Sequence, residues 1–368
     1  MRVWSGKLPS SCASKTPLAI GDPASCGKIE SLGRLRRLKI VHRTVGLLCL
    51  LLEAMFVWPA RGQMKITAQF SHSGMCDASA GVALDVRRFA AANDEDNVLR
   101  IYARDRSGGP LQTIDLSRFL EVQSKKPETD LEGAARIGDR VFWITSHGRN
   151  KDGKRRASRC RFFATQINST PQSIELSPVG KPYKRLLQDL AEAPGLRSFH
   201  LESAAQLPPK AKGALNIEGL CATPDQHLLI GFRNPIPQGK ALLVPLLNPD
   251  EVIGGRPARL GEPMQLDLNG LGIRDLAYYE GRYLIIAGSY DSELRPRLYF
   301  WNGRDQPQLI EMDSLPGLNP EAVILYPDKG LNELHLLSDD GALKINGVPC
   351  KELPPSPLKS FRSFWLRP

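Results

Sequence analysis

Five segments of this chain repeat one short pattern: a small or acidic residue, Gly or Ala, two apolar residues, a turn, and a second apolar run. They are ASAGVALDVRRFAAANDED (78–96), DLEGAARIGDRVFWITSHGRN (130–150), NIEGLCATPDQHLLIGFRNP (216–235), GIRDLAYYEGRYLIIAGSYD (272–291) and NPEAVILYPDKGLNELHLLSDD (319–340). Counting 14 residues on from Ala80, Glu132, Glu218 and Asp275 reaches Asp94, Ser146, Phe232 and Ser289, whereas Glu321 needs 17 to reach Ser338. Each unit reads as a β-hairpin, because two short apolar runs flank a turn rich in Gly, Asp or Pro. A third strand usually follows, as at Val98–Tyr102, Arg161–Thr165, Ala241–Leu246 and Arg297–Trp301, and a fourth at Ser173–Ser177. Strands in units of this size suit propeller blades. A β-sandwich would not explain why an acidic position recurs in phase.

The expected fold is therefore all-β, a single β-propeller of five blades, with six as the alternative count. Successive units are 52, 86, 57 and 46 residues apart. The long gap contains one helical pattern, Pro182–Glu192 (PYKRLLQDLAE), with Leu186, Leu187 and Leu190 on one face. It reads as a helical insertion near 181–205, or else as a place where a degenerate blade hides. Lys65–Phe70 and Phe361–Leu366 are terminal strands placed to pair and close the ring.

In an antiparallel hairpin the start of the first strand lies beside the end of the second. If first strands line the channel, Glu132, Glu218, Asp275 and Glu321 gather at one mouth. The ends of the second strands join them, namely Asn93–Asp96, Ser146–Asn150, Arg233-Asn234, Ser289–Asp291 and Ser338–Asp340. Ala80 breaks the acidic pattern in the first unit. Converging carboxylates repel unless a cation, an arginine or a proton neutralises them. Calcium suits such oxygen ligands, and Glu218, Asp275, Glu321 and Asp291 are its expected holders. Asn150, Arg233, Asn234, Arg274 and Tyr290 are the expected ligand contacts. In a catalytic version Glu132, Glu218, His147 and Arg149 carry the chemistry, with a calcium-polarised ester, lactone or phosphate as substrate. In the plainest version each acid merely ties its own blade to backbone N–H groups.

Other signals exclude more than they assign. No GxSxG elbow, Walker loop or HExxH is present, which removes the common hydrolase and nucleotide-binding explanations. The run Lys151–Arg161 (KDGKRRASRCR) holds six Lys/Arg and reads as a solvated loop or an anion contact. Cys76, Cys160, Cys221 and Cys350 lie far apart without a CxxC, so zinc-ligand spacing is absent, while disulfides and buried thiols both stay open. The formal charge of +10 is a property of the leader. Residues 1–62 hold ten of the 49 Lys/Arg and three of the 39 Asp/Glu, leaving 39 bases against 36 acids in 63–368. A nucleic-acid partner is therefore not expected.

The leader itself combines Arg34, Arg36, Arg37, Lys39 and Arg43 with the apolar run Val45–Trp58, Pro59 and Ala60-Arg61-Gly62. That is the layout of a cleaved signal peptide after an N-terminal extension, with a retained membrane anchor as rival. The expected organisation is an extension plus signal over 1–62 and a propeller over 63–368, exported to the periplasm or beyond. A 42% hydrophobic fraction gives the propeller enough apolar side chains for a packed core.

The block DLEGAARIGDRVFWITSHGRNKDGKRRASRCRFFAT, the PYKRLLQDL helix and NIEGLCATPDQHLLIGFRNP together resemble a bacterial family known only as domain of unknown function 3616, over roughly residues 75–345. The chain is also distantly similar to phytase-like and esterase-like propellers. The resemblance implies a propeller architecture and export, and no activity. The function read from the residues is binding of a small polar or anionic ligand at the acidic mouth, calcium-bridged ligation being one form of it. The alternatives are a calcium-assisted phosphoesterase, esterase or lactonase, and a protein–protein platform on the blade rims.

Overall fold

β-Branched and aromatic residues crowd the second run of two of the repeats, Val141–Thr145 and Tyr283–Ala287, and these runs form strands buried on both faces. The computed structural model describes residues 64–122, 128–170, 173–312 and 317–368. The signal or anchor expected over 45–62 lies outside the described residues. No helix among the described residues is long and apolar enough to cross a membrane.

Among the described residues the first element is β1 (Lys65–Ser73), and four hairpin pairs follow in order. The first blade is β2 (Ala80–Ala83), β3 (Arg88–Ala92), β4 (Val98–Ala103) and β5 (Gln112–Asp115). The second is β6 (Leu131–Ile137), β7 (Arg140–Thr145), β8 (Phe162–Ser169) and β9 (Ile174–Tyr183). The third is β10 (Asn216–Ala222), β11 (Leu228–Asn234), β12 (Ala241–Leu246) and β13 (Met264–Leu266). The fourth is β14 (Gly272–Tyr279), β15 (Arg282–Gly288), β16 (Arg297–Trp301) and β17 (Gln308–Ile310). The last uses β18 (Pro320–Ile324) and β19 (Leu334–Ser338), a small ribbon of β20 (Lys344–Ile345) and β21 (Val348–Pro349), and β22 (Ser360–Arg367). Its outermost strand is β1, in the order β1-β22-β19-β18.

These five four-stranded sheets form a five-bladed propeller. The inner strands β2, β6, β10, β14 and β18 touch in that order, and β18 touches β2 again, so the ring is closed. Closure is by the two chain ends. β1 and β22 run antiparallel from Lys65 opposite Arg367 to Ser73 opposite Ser360, with one irregularity after Ile66. A disulfide joins Cys76, just past β1, to Cys350, just past β21, across 274 residues of sequence. Cys160 and Cys221 are free thiols.

The core is divided among the blade interfaces. Trp143 and Phe163 of the second blade pack against Leu99 and Ile101 of the first. Leu229 and Leu243 of the third face Ile285, Tyr299 and Trp301 of the fourth, and Phe89 and Tyr102 meet Tyr326, Phe361 and Trp365 where the ring closes. Full burial of each such side chain stabilises by roughly 1.5–3 kcal/mol.

The long gap holds helical elements and no further sheet. Helix α1 (Leu186–Glu192), a 3-10 turn over Pro194–Phe199 and the short α2 (Leu201–Ala204) occupy it. Leu186, Leu190, Leu196 and Leu201 pack onto the second and third blades beside Phe142, Phe162 and Ile230. Helix α1 starts later than the pattern suggested, because Pro182 and Tyr183 finish strand β9 against Phe162. A third helix, α3 (Pro249–Ile253), follows β12.

Candidate functional site

Four of the five inner strands carry one extra residue near their start. The pairing skips Glu132 between Leu131 and Gly133, Glu218 between Ile217 and Gly219, Arg274 between Ile273 and Asp275, and Glu321 between Pro320 and Ala322. A bulge leaves its extra residue unpaired and re-aims that side chain. Only β2 pairs without a skip, through Ala80 opposite Ala92 and Gly81 opposite Ala91. The acidic repeat is thus a repeat of bulges.

This corrects one position. The residue of the fourth blade that matches Glu218 in space is Arg274, not Asp275. Asp275 sits in the ladder opposite Ile286, and its carboxylate accepts a hydrogen bond from the Val323 N–H of the next blade at 2.8 Å. Burial pushes its pKa well above the usual carboxylate range, against backbone N–H groups of Val323 and Leu276 that lower it. Asp275 therefore has the blade-tying role, on the inward ladder position that Gly219 and Ala322 hold in their strands.

Arg274 occupies the centre of the mouth. Its guanidinium pairs with Glu321, reaches Glu218 at 3.4 Å, and donates to Asn319 Oδ1 at 2.7 Å. Arg233, an extra residue on the second strand β11, donates to Glu218 at 2.6 Å, to the Ser289 carbonyl at 3.0 Å and to Ser292 Oγ at 2.6 Å. Asn216 adds a donor to Glu218 at 2.8 Å. Two glycines make room. A Cβ at Gly288 would lie 2.7 Å from Arg274 Cδ, and one at Gly272 would lie 2.0 Å from the Arg233 carbonyl oxygen. Burial works against the charge of Arg274, yet Glu321, Glu218 and Asp339 together carry its pKa above the ordinary guanidinium range. Burial also pushes the Glu321 carboxyl up, with Asp339 and Glu218 adding to it against Arg274.

The other side of the mouth is short of cations. Asp130 pairs with Arg159 at 2.5 Å, and Arg159 also pairs with Glu128. Glu132 has no hydrogen-bonding partner among the described residues. Burial first, then Asp130, Glu218, Asp94 and Glu321, raise its pKa well above the carboxylate range. Asp94 is raised to about 7 by burial and by Asp130, Asp339 and Glu95, against a hydrogen bond with Asp77. Asp130 is raised to about 6, mainly by burial, with Arg159 opposing. One carboxyl oxygen of Asp77 and one of Asp94 are buried with no hydrogen-bond partner. These groups titrate as a set in which protons do part of the neutralising.

The remaining expected residues fall elsewhere. His147 is buried in a left-handed turn (φ 56°), with Nδ1 against its neighbour's Thr145 carbonyl at 2.7 Å. Burial lowers its pKa to about 4, and no carboxylate takes part in that shift. Arg149 braces two loops, donating to the carbonyls of Ala205 at 3.1 Å and Gly153 at 2.9 Å. Asn150 closes its own turn onto Lys154 N–H at 2.7 Å, and Asn234 donates to Pro209 and Ala211 carbonyls. Tyr290 is half-buried, and Asp291 caps the turn at Glu293 N–H at 3.0 Å. Of the expected calcium holders, Glu218 and Glu321 are bridged by Arg274, while Asp275 and Asp291 face backbone N–H groups. Among the described residues no three His, Cys, Asp or Glu side chains stand together as metal ligands. A guanidinium takes the place a cation would need, so this donor set does not fit calcium, and no chemical step is drawn through it.

Asp77, Asp130 and Arg159 were missed as site residues. Asp130 lies two residues before Glu132 in its repeat, so its position carried a signal. Asp77 and Arg159 lie outside the repeat and are delivered by ring closure and by the loop after β7.

Residues 165–315 match the model of a family described as "Protein of unknown function (DUF3616)". No curated protein matches the chain in sequence. Among solved structures, the glutaminyl cyclase of Myxococcus xanthus is similar over 83% of this chain and 95% of its own, at 12% identity and a TM-score of 0.45. A PQQ-bound aldose sugar dehydrogenase from Streptomyces coelicolor is similar over 84% and 99%, at 12% identity and a TM-score of 0.41. The native arabinanase of Bacillus subtilis is similar over 79% and 94%, at 10% identity and a TM-score of 0.41. Likenesses this distant carry no argument about activity.

Proposed function

We propose that this propeller is a binding protein whose polar mouth takes a small ligand rich in hydrogen-bond donors, such as an amine or a polyol. The observation that carries this reading is Glu132, a carboxyl on the channel wall with no hydrogen-bonding partner, whose pKa is pushed well above the carboxylate range by burial and then by its acidic neighbours. The unpartnered oxygens of Asp77 and Asp94 add acceptors in the same region. An anion is the poorer fit, because Arg233, Arg274 and Arg159 already spend their donors on protein oxygens. Thermal unfolding of the full-length protein against putrescine, inositol, phosphate and calcium tests this. Ligands that bind the native state alone raise the midpoint with concentration. The expected result is a rise with the amine or the polyol that Glu132→Gln removes. A rise with phosphate alone, or with calcium alone, would sink the reading.

A hydrolase is the second reading, favoured by Asp94 at about 7 and Asp130 at about 6. Carboxyl groups titrating near neutrality in one mouth have the properties of general acids. Turnover of generic ester, phosphoester or glycoside substrates, lost in Asp94→Asn, would support it. Export is proposed with either reading, since the Cys76–Cys350 disulfide belongs to an oxidising compartment. N-terminal sequencing of the protein recovered from the periplasm or medium would test export and the cleavage site together.

A further inference from the structure

The opposite end of the channel has a different chemistry. The downstream halves of all five inner strands enclose a cavity of about 410 Å³, within the size range of small-molecule sites. Its wall is formed by residues such as Val82, Ala134, Leu220, Leu276, Val323 and Ile324. Apolar surface of this kind gains by taking hydrocarbon out of water.

Polar groups in the wall decide what the hydrocarbon carries. Arg136 donates to the carbonyls of Gly138 at 2.6 Å, Leu84 at 2.5 Å and Ala83 at 3.3 Å. Thr223 Oγ1 exchanges hydrogen bonds with the backbone of His227, accepting at 3.1 Å. Arg136 also reaches Asp139 at 3.5 Å, so its guanidinium is turned to acceptors of its own blade and the neighbouring one, and the Thr223 hydroxyl proton is spent on His227. Tyr278 differs: its hydroxyl accepts from Gly281 N–H at 2.8 Å, which leaves its own proton free to donate. Its ring is fixed against Tyr283, with centroids 5.0 Å apart.

We propose that this cavity is a second binding site, independent of the polar mouth, for a compact apolar molecule bearing a single hydrogen-bond acceptor, which Tyr278 receives at the rim. The class is that of medium-chain ketones, esters and ethers. A free carboxylate fits it poorly because Arg136, a cation of the wall, is already engaged by backbone carbonyls and Asp139, and a polyol because most of its donors would find no acceptors there.

The test uses 2-decanone and decane as probes on the full-length protein, with binding read by thermal unfolding and equilibrium dialysis. Dialysis is expected to show 2-decanone binding, with a matching rise in the midpoint and an affinity about fivefold above that of decane, the size of one neutral hydrogen bond. Tyr278→Phe removes that preference without abolishing binding. Ala277→Leu, which places bulk in the half-buried wall, weakens both probes tenfold or more while the unliganded protein keeps its midpoint. Absence of binding by both probes overturns the site, as does unchanged binding in Ala277→Leu. Equal affinity for ketone and alkane in the wild type overturns the role of Tyr278. Because inositol and putrescine are read at the other mouth, failure here leaves the polar reading standing, and the reverse holds too.

Discussion

The two mouths of one channel are built from the same five strands and share almost no chemistry. At the upstream end, bulges present Glu132, Glu218, Arg274 and Glu321 into the channel, and second-strand residues such as Arg233 and Asp94 meet them. At the downstream end the strands pair without skips, and the wall is mostly small and branched apolar side chains, with Arg136, Thr223 and Tyr278 among its few polar members. The difference shows what a bulge does for a propeller. An extra residue frees one side chain per blade from the ladder, so charge can be placed at an axis that regular strands fill with small apolar groups. It also sets different stakes. A charge placed there must find partners, whereas an alanine placed at the other end need only fit.

The sharpest way to break the comparison is to remove the central cation. Arg274→Ala strands Glu321 without its buried cation, while Glu218 keeps Arg233, and should cost about 3–5 kcal/mol of stability, measured by denaturant unfolding. Ala277→Leu at the apolar end should change it by less than about 1 kcal/mol. Equal losses would mean the two mouths are energetically alike. Next in size is the disulfide. Cys76→Ser with Cys350→Ser should cost about 2–4 kcal/mol, the usual range for such a link. It should also weaken ligand binding at the polar mouth selectively, because Asp77 follows Cys76 and Asp340 N–H bonds the Cys76 carbonyl at 3.0 Å.

Acidity provides a third separation. Asp94 at about 7 and Asp130 at about 6 bind protons more tightly folded than unfolded, where carboxyls of this type titrate near 3.8. The native state therefore holds extra protons between pH 4 and the folded values. The contribution of these two groups to stability falls as pH rises through that window and is gone above about 7. Asp94→Asn should flatten the fall, which unfolding midpoints at a series of pH values would show. Binding of 2-decanone should be indifferent to the same pH change. The smallest effect on stability belongs to Glu132→Gln. Its unfolding free energy should stay within about 1 kcal/mol of wild type, because the amide keeps the size and shape of the carboxyl and no hydrogen bond is lost. Loss of polar-ligand binding in that variant would come without a loss of fold.

Much of this architecture was legible before any coordinates. Hairpins repeating in phase have to pack as similar units, and a short strand at each chain end has to find an edge, so a ring closed by its termini follows from the pattern. The gathering of Glu132, Glu218 and Glu321 at one mouth follows from the same strand geometry. Asp275 shows where that reasoning stops. Aligning acid with acid shifted the fourth blade by one residue, and in a strand one residue is the difference between two faces. Whether a bulge falls at 274 or 275 depends on Gly272 and Gly288, whose missing Cβ atoms admit the Arg233 backbone and the Arg274 side chain.

The sequence by itself determined the all-β class, the propeller repeat and the place of the helical insertion, because these rest on local period and spacing. It also determined that carboxyl groups would meet at the channel. Only the tertiary structure decided how those groups are neutralised, which cysteines pair, that His147 is walled off from the acids, and that the far mouth is an apolar hollow. Each of these depends on contacts between blades distant in sequence. Local pattern shapes a blade, but the angle at which blades meet sets which charges share a cavity and which side chains leave one empty.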